Sequence, residues 1–334
     1  MKVFITGVAG FLGSHLAERF LKIGHEVSGC DNLIGGYLDN IPDDVDFHQV
    51  DCQYLNTMNK ILNGIDIVYH CACTAYEGLS VFSPHLVVGN TVLISTTVFS
   101  AAVQQGVKRI INCSSMARYG TQDKVPFVET MTPKPQDPYG ISKFAAEEIL
   151  KTLATVNDIE FINCVPHNII GPRQKYDDPY RNVASIMINL MLQGRQPIIY
   201  GDGKQKRCFS FVNDVVEPFV NLLDNNDVIG EIINIGPDEE FIEINELAKI
   251  IADLIGFKLD PIYMPDRPQE VKFATCSADK ARKLLNYSTT YTLERGLKEM
   301  IEWISQRGTK RFRYHLDLEI INDKCPSTWK DRLF

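Results

Sequence analysis

Apolar positions recur along this chain in two alternating rhythms. Short runs rich in β-branched residues, at 2–6, 26–30, 46–50, 65–72, 109–113 and 160–165, read as buried strands. Between them, helical spacing appears at 14–23, 55–63, 86–105 and 139–155, the third segment stopping at Gly106. Strands alternating with helices imply right-handed crossovers and a parallel sheet, whose ligands gather at the carboxyl ends of the strands. The regular alternation falters at His167-Asn168-Ile169-Ile170-Gly171-Pro172-Arg173. Shorter elements then mix: a helix at 183–193, a strand at 197–200, a loop at 201–207, a strand at 209–212 and a helix at 215–224. A strand at 231–235 is placed to rejoin the main sheet, 244–255 is amphipathic, and 261–307 reads as a small domain covering a cleft.

The first strand runs straight into Gly7, Gly10 and Gly13 and then into a helix. Gly7 permits the tight turn, Gly10 lets a pyrophosphate approach the backbone, and Gly13 lets the helix pack closely on the strand. The free N–H groups and positive end of that helix face the phosphates. The second strand ends in Asp31, 18 residues beyond Gly13, where a carboxylate accepts hydrogen bonds from an adenosine ribose. That charge repels a 2′-phosphate, and no Arg or Lys lies between Asp31 and Asp51, which favours NAD over NADP. The expected cofactor contacts are Gly7, Gly10, Phe11, Leu12 and Gly13 at the turn, then Asp31 and Asn32, then Asp51 and Cys52.

A chain of 334 residues, 45% hydrophobic, suits one large α/β domain or two unequal ones. The net charge of −8 argues against nucleic acid or a membrane surface as partner. The local basic cluster Lys310, Arg311 and Arg313 reads as a solvated helix end. Nine cysteines without a CxxC pair suit reduced thiols in a cytoplasmic protein, and Cys71 and Cys73 read as core residues. No apolar run approaches the length of a membrane span. No HxH or HExxH arrangement is present, so no metal is expected, and His70 and His167 read as packing or substrate-contacting residues.

Tyr139 and Lys143 lie four residues apart on one helix and share a face, about 5–6 Å apart at Cβ. An ammonium there favours the phenolate, as does a positive nicotinamide ring, and together they suit Tyr139 to serve as a general base. Ser115, at the end of the strand 109–113, is placed to hold the same substrate oxygen.

With these residues in order, the chain resembles the extended short-chain dehydrogenase/reductase family, in its nucleotide-sugar epimerase and dehydratase branch. The resemblance covers about 1–305. It rests on the glycine turn, Ser114-Ser115-Met116-Ala117-Arg118-Tyr119-Gly120, Pro138-Tyr139-Gly140-Ile141-Ser142-Lys143, Asn168 with Gly171-Pro172-Arg173, and Tyr200-Gly201-Asp202-Gly203. It implies a Rossmann-type doubly wound parallel sheet with a smaller mixed α/β C-terminal substrate domain. The expected division is 1–166 for NAD, with 208–247 partly returning to it, 167–310 for substrate, and a tail at 311–334. NAD, a nucleotide diphosphate sugar, and a catalytic set of Ser115, Tyr139 and Lys143 follow from the resemblance, with Tyr139 and Lys143 also touching the cofactor. So does a homodimer built on the helices 86–105 and 139–155.

Expected substrate contacts are Tyr76, Glu77, Ser115, Met116, Asn168, Arg207 and Arg267, the two arginines matching positions from which relatives reach a pyrophosphate. Asn90 is left as a substrate contact or a core amide. Dehydratases of the family usually carry Asp-Glu after the catalytic hydroxyl residue, and decarboxylating relatives usually keep a Glu two positions after it. Here those places hold Met116 and Ala117, neither able to move a proton. A C4 epimerase is therefore expected, with a 4,6-dehydratase or a C3/C5 epimerase using Glu77 or Cys73 as the alternative. A catalytically silent NAD-binding regulator is the rival from another class, and the intact catalytic set argues against it. The tail is left with three roles: cap of the cleft, part of a subunit interface, or loose arm.

Overall fold

The computed structural model describes residues 1–334. Six strands, β1 (Lys2–Thr6), β2 (Glu26–Asp31), β3 (Asp46–Gln49), β4 (Ile67–His70), β5 (Arg109–Cys113) and β6 (Glu160–Pro166), follow the apolar runs closely. Four short strands come next: β7 (Ile169–Ile170), β8 (Ile198–Tyr200), β9 (Lys206–Arg207) and β10 (Ser210–Phe211). Then β11 (Ile232–Ile235) returns to the main sheet, whose order is β11-β6-β5-β4-β1-β2-β3. Every pair in it is parallel. The order reverses at β1, between β2 and β4, and that switch point opens a crevice at the strands' carboxyl ends.

The largest buried cluster draws on both halves of the chain. Val3 and Ile5 of β1 belong to the same buried cluster as Phe219, Leu247, Leu297 and Ile304. Within the expected covering region, helix Asp279–Leu285 packs on β11, and helix Leu293–Arg307 packs on helices Val183–Leu192 and Ile244–Ile255. Two further strands, β12 (Ile242–Glu243) and β14 (Phe273–Ala274), flank β9, while β13 (Ile262–Met264) pairs with β8.

Several local expectations change. The helix expected at 215–224 runs Val212–Val220 and carries Pro218 inside it, because the chain enters the helix directly from β10. The segment expected at 86–105 is one helix, Pro84–Gln104, with a π-type turn at Gly89–Leu93 that sets half-buried Asn90 on the cleft wall. Contrary to the sequence reading, this helix is long and apolar enough to cross a membrane by length and composition; half of its most apolar stretch is buried inside the protein. Lys310 is no helix end: its ammonium lies 4.2 Å from the centre of the Tyr37 ring and 5.2 Å from that of Tyr176. Cys71 and Cys73 are half-buried, each packed against a hydrophobic cluster on one side and lining the cleft on the other.

Candidate active site

One cavity of about 460 Å³ occupies the crevice and reaches from Asp31 and Asp51 to Tyr200 and Arg267. Its floor is made by the turns that follow the strands, which is why residues far apart in sequence meet there.

After β1, Gly7 sits at φ +73°, and a Cβ on Gly13 would come 2.2 Å from the Gly7 carbonyl oxygen. The helix Phe11–Lys22 therefore lies hard against the turn, with no acidic residue in its first turn to compete for its N–H groups. Both oxygens of Asp31 accept backbone hydrogen bonds, from Ala9 at 3.1 Å and Leu33 at 2.7 Å, fixing the carboxylate in the cavity wall. Burial raises its pKa. Asn32 donates to Asp51 at 2.8 Å, and both line the cavity. Cys52 also lines it, but its thiol lies 3.5 Å from that of Cys30 in a buried cluster, so its side chain is committed to packing. A tight, acid-free helix start and an anchored carboxylate fit the phosphates and ribose of a dinucleotide.

At the centre, Asp137 caps the helix Pro138–Asn157 by accepting from Gly140 N–H at 2.9 Å. That start presents Tyr139 and Lys143 to the end of β5. Tyr139 packs with Val87 and Ala117, and the Ser115 hydroxyl, which accepts from Ala117 N–H at 3.2 Å, lies in the same cavity wall. Lys143 donates to the Cys113 carbonyl at 2.7 Å. Burial, then Cys73, raises the Tyr139 pKa; Lys143 and Ser115 pull the other way, as expected, but are outweighed. Burial works against the Lys143 ammonium, yet Cys73, Tyr139 and Cys113 together raise its pKa and keep it charged. His70 is a packing residue, bonded to Thr6 at 2.8 Å and Ser95 at 2.9 Å, with burial and then Lys143 lowering its pKa to about 3.

Beneath the cluster, Ser114 donates to Glu147, which also accepts from Arg118 at 2.9 Å. This buried pair ties the Ser115 turn to the helix that carries Tyr139.

The expected substrate contacts divide. Glu77, Met116, Arg207 and Arg267 line the cavity with side chains available to it. Arg207 is held by the backbone carbonyls of Lys206, Lys272 and Val271 and has no carboxylate partner. Arg267 pairs with Glu270 at 2.8 Å, and its Nε and the second Glu270 oxygen are left unpartnered. Asn168, at φ +44°, spends its side-chain amide on the Cys208 carbonyl and its own carbonyl on Ser210 N–H at 3.2 Å, leaving its backbone N–H for a ligand. Tyr76 lines the cavity but is almost fully buried, its hydroxyl donating to buried Asp178 at 2.5 Å. Arg181 was missed by the sequence reading. It lines the cavity with its guanidinium 5.1 Å from the Tyr76 ring centre, and donates to the Gly35 carbonyl at 3.0 Å, bringing a cation to the Asp31 loop from a distant segment.

Glu77 is open to the cavity yet walled in by protein. That enclosure, reinforced by Asp137, pushes its pKa up to about 7 against the pull of Arg207 and Arg267. The native state thus binds this proton more tightly than the unfolded chain. The stabilisation from protonated Glu77 is complete below the ordinary carboxylate range and is lost as pH rises to about 7. Glu77→Gln is accordingly expected to melt higher than the parent above pH 7, with the difference closing below about pH 4. Melting curves across that range check this; a gap independent of pH would contradict it.

The fold and these groups define a dinucleotide-dependent enzyme of the short-chain dehydrogenase type. The profile of the NAD dependent epimerase/dehydratase family matches residues 3–236, and the chain belongs to that family. Among curated relatives, the UDP-N-acetyl-alpha-D-glucosaminuronate decarboxylase of Bacillus cytotoxicus is 31% identical over 91% of this chain and 98% of its own length. The UDP-glucose 4-epimerase of Thermotoga maritima, solved with UDP-glucose, superposes with a TM-score of 0.86 at 29% identity, covering 92% of this chain and 99% of that one. A UDP-glucuronic acid 4-epimerase of Bacillus cereus, solved with UDP-4-deoxy-4-fluoro-glucuronic acid and NAD, gives 0.85 at 28%, covering 92% and 100%.

Proposed function

We propose that this protein is an NAD-dependent nucleotide-sugar epimerase acting at C4. The observation that carries the reading is the meeting of Ser115, Tyr139 and Lys143 in one cavity with Met116 and Ala117, not carboxylates, following the serine. Two solved neighbours with the same fold are UDP-sugar 4-epimerases, which supports it. The decarboxylating relative is disfavoured as a guide because Ala117 stands where such enzymes usually keep a Glu.

Gly7, Gly10, Phe11, Leu12 and Gly13 would cradle the cofactor's phosphates, and Asp31 its ribose. Bound NAD supplies a hydride acceptor and, once reduced, a donor for the same sugar carbon. Tyr139 Oη takes the proton of the 4-hydroxyl, Ser115 Oγ holds that oxygen, and Lys143 stabilises the phenolate. The same phenol returns the proton when the carbon is reduced on its other face. Arg207 and Arg267 hold the diphosphate, and the Asn168 backbone assists. Asp31→Ala is expected to weaken NAD binding by about tenfold or more and to narrow the preference for NAD over NADP; cofactor titrations measure both, and unchanged values would remove the ribose assignment.

Exposed Val88, Leu93, Ile141 and Val156 on the helices Pro84–Gln104 and Pro138–Asn157 support a homodimer through that face. The deciding experiment is proton NMR in D₂O with UDP- and GDP-hexoses and no added cofactor. A new hexose isomer without carbon-bound deuterium is the C4 result. The titratable Glu77 in the cavity supports a second reading, proton exchange at C3 or C5, and deuterium at either carbon would select it.

A further inference from the structure

The segment 311–334 crosses the molecule and enters the wall of the cavity. Trp329 is 4% exposed, in a cluster with Tyr76, Leu79, Phe82 and Tyr180. Its indole N–H donates to the Pro179 carbonyl at 3.1 Å, and its ring stands 5.6 Å from that of Tyr180. The neighbouring Thr328 hydrogen-bonds Tyr200 and accepts from the Tyr314 hydroxyl at 2.7 Å through its carbonyl.

The far edge of the indole meets Gly78. A Cβ there would lie 3.1 Å from the Trp329 ring and 3.4 Å from Arg267 Nη1, so glycine is what lets ring and guanidinium close together. Trp329 thus stands beside Glu77 on one side and Arg267 on the other, and all three line the cavity. The unpartnered Arg267 Nε and Glu270 oxygen lie in the same wall.

The segment is also strapped to the loop that holds Glu77. Glu319 accepts from His85 N–H at 2.9 Å and Leu86 N–H at 2.8 Å, capping the helix Pro84–Gln104. Ser83 donates to the Asp317 carbonyl at 2.9 Å, and Ile320 N–H to the Phe82 carbonyl at 2.8 Å.

Resting on the nucleotide-sugar reading, we propose that Trp329 is a specificity-determining residue: it walls the hexosyl diphosphate, and the segment 311–334 favours the sugar-bearing nucleotide over the bare diphosphate. An indole face offers apolar cover to hexosyl C–H groups, which the bare diphosphate lacks. Glu319 acts only by positioning the strap.

Two measurements test this in the full-length protein. Trp329→Ala should raise KM for the nucleotide sugar by about tenfold or more, with kcat changed little and inhibition by UDP unchanged. Trp329→Phe should recover most of the loss, and Glu319→Gln should raise KM in the same direction. In Trp303→Phe, which leaves Trp329 as the sole tryptophan, the UDP-hexose that is turned over should alter emission more than UDP does. With the parent enzyme active, an unchanged KM, an equal loss of UDP affinity, or the same emission response to both ligands overturns the proposal. Should Trp329→Ala not fold, the emission comparison decides alone. A parent enzyme inert towards every nucleotide sugar overturns the underlying reading, and the proposal with it.

Discussion

Replacing Tyr139 by Phe is expected to lower turnover of a nucleotide sugar by about 10²–10⁴-fold. The substitution removes Oη alone. The ring keeps its contacts with Val87 and Ala117, so the fold and the cofactor site should survive. What disappears is the phenol oxygen, whose ionised form Lys143 and Ser115 favour. A second consequence separates a base from a spacer. Burial raises the phenol's pKa, so parental activity should climb with pH over the range where Tyr139 begins to ionise, and that limb should vanish in the variant. Initial rates by NMR across pH, with melting temperature and NAD content measured on the same samples, check the prediction. Full turnover in a folded, NAD-loaded Tyr139→Phe protein would refute the mechanism.

Gly13→Ala is expected to strip the protein of its cofactor and to destabilise it by about 1–3 kcal/mol. The added methyl would sit 2.2 Å from the Gly7 carbonyl oxygen and 3.1 Å from Val8 Cα. Those are backbone atoms, which cannot rotate out of the way as a flexible side chain can. Relief requires the helix Phe11–Lys22 to move off β1, carrying its N-terminal N–H groups away from where phosphates would lie. Gly89→Ala is the control, since a methyl there meets nothing within 4 Å. NAD released on denaturation and the melting temperature report the two effects. A Gly13→Ala protein that kept both would mean the turn is not packed as described.

Tertiary packing altered some expectations and added others. Cys52 was read as a cofactor contact and does line the cavity, but the turn after β3 brings its thiol to 3.5 Å from that of Cys30. Tyr76 was read as a substrate contact from its loop, but Asp178 claims its hydroxyl. Counting basic residues between Asp31 and Asp51 missed Arg181, because its approach to Gly35 depends on chain that returns much later. The 86–105 segment was read as an amphipathic helix too short of continuous apolar residues to span a membrane, whereas the whole helix Pro84–Gln104 passes that test by length and composition.

The sequence alone determined what neighbouring residues encode. Alternating strand and helix periods defined the parallel sheet, the glycine spacing defined the turn after β1, and an interval of four on one helix placed Tyr139 beside Lys143. Each is a local signal, carried by backbone preference and by the geometry of a single element. Where the tail packs, which residues from the two ends of the chain share a buried cluster, and which cations reach the cavity were decided by tertiary structure. Trp329 meets Gly78, and Ile304 shares a core with Val3, through contacts whose sequence separation leaves no periodic trace. Those contacts are fixed by burying apolar surface across the whole chain at once, a non-directional driving force that no short window of residues records.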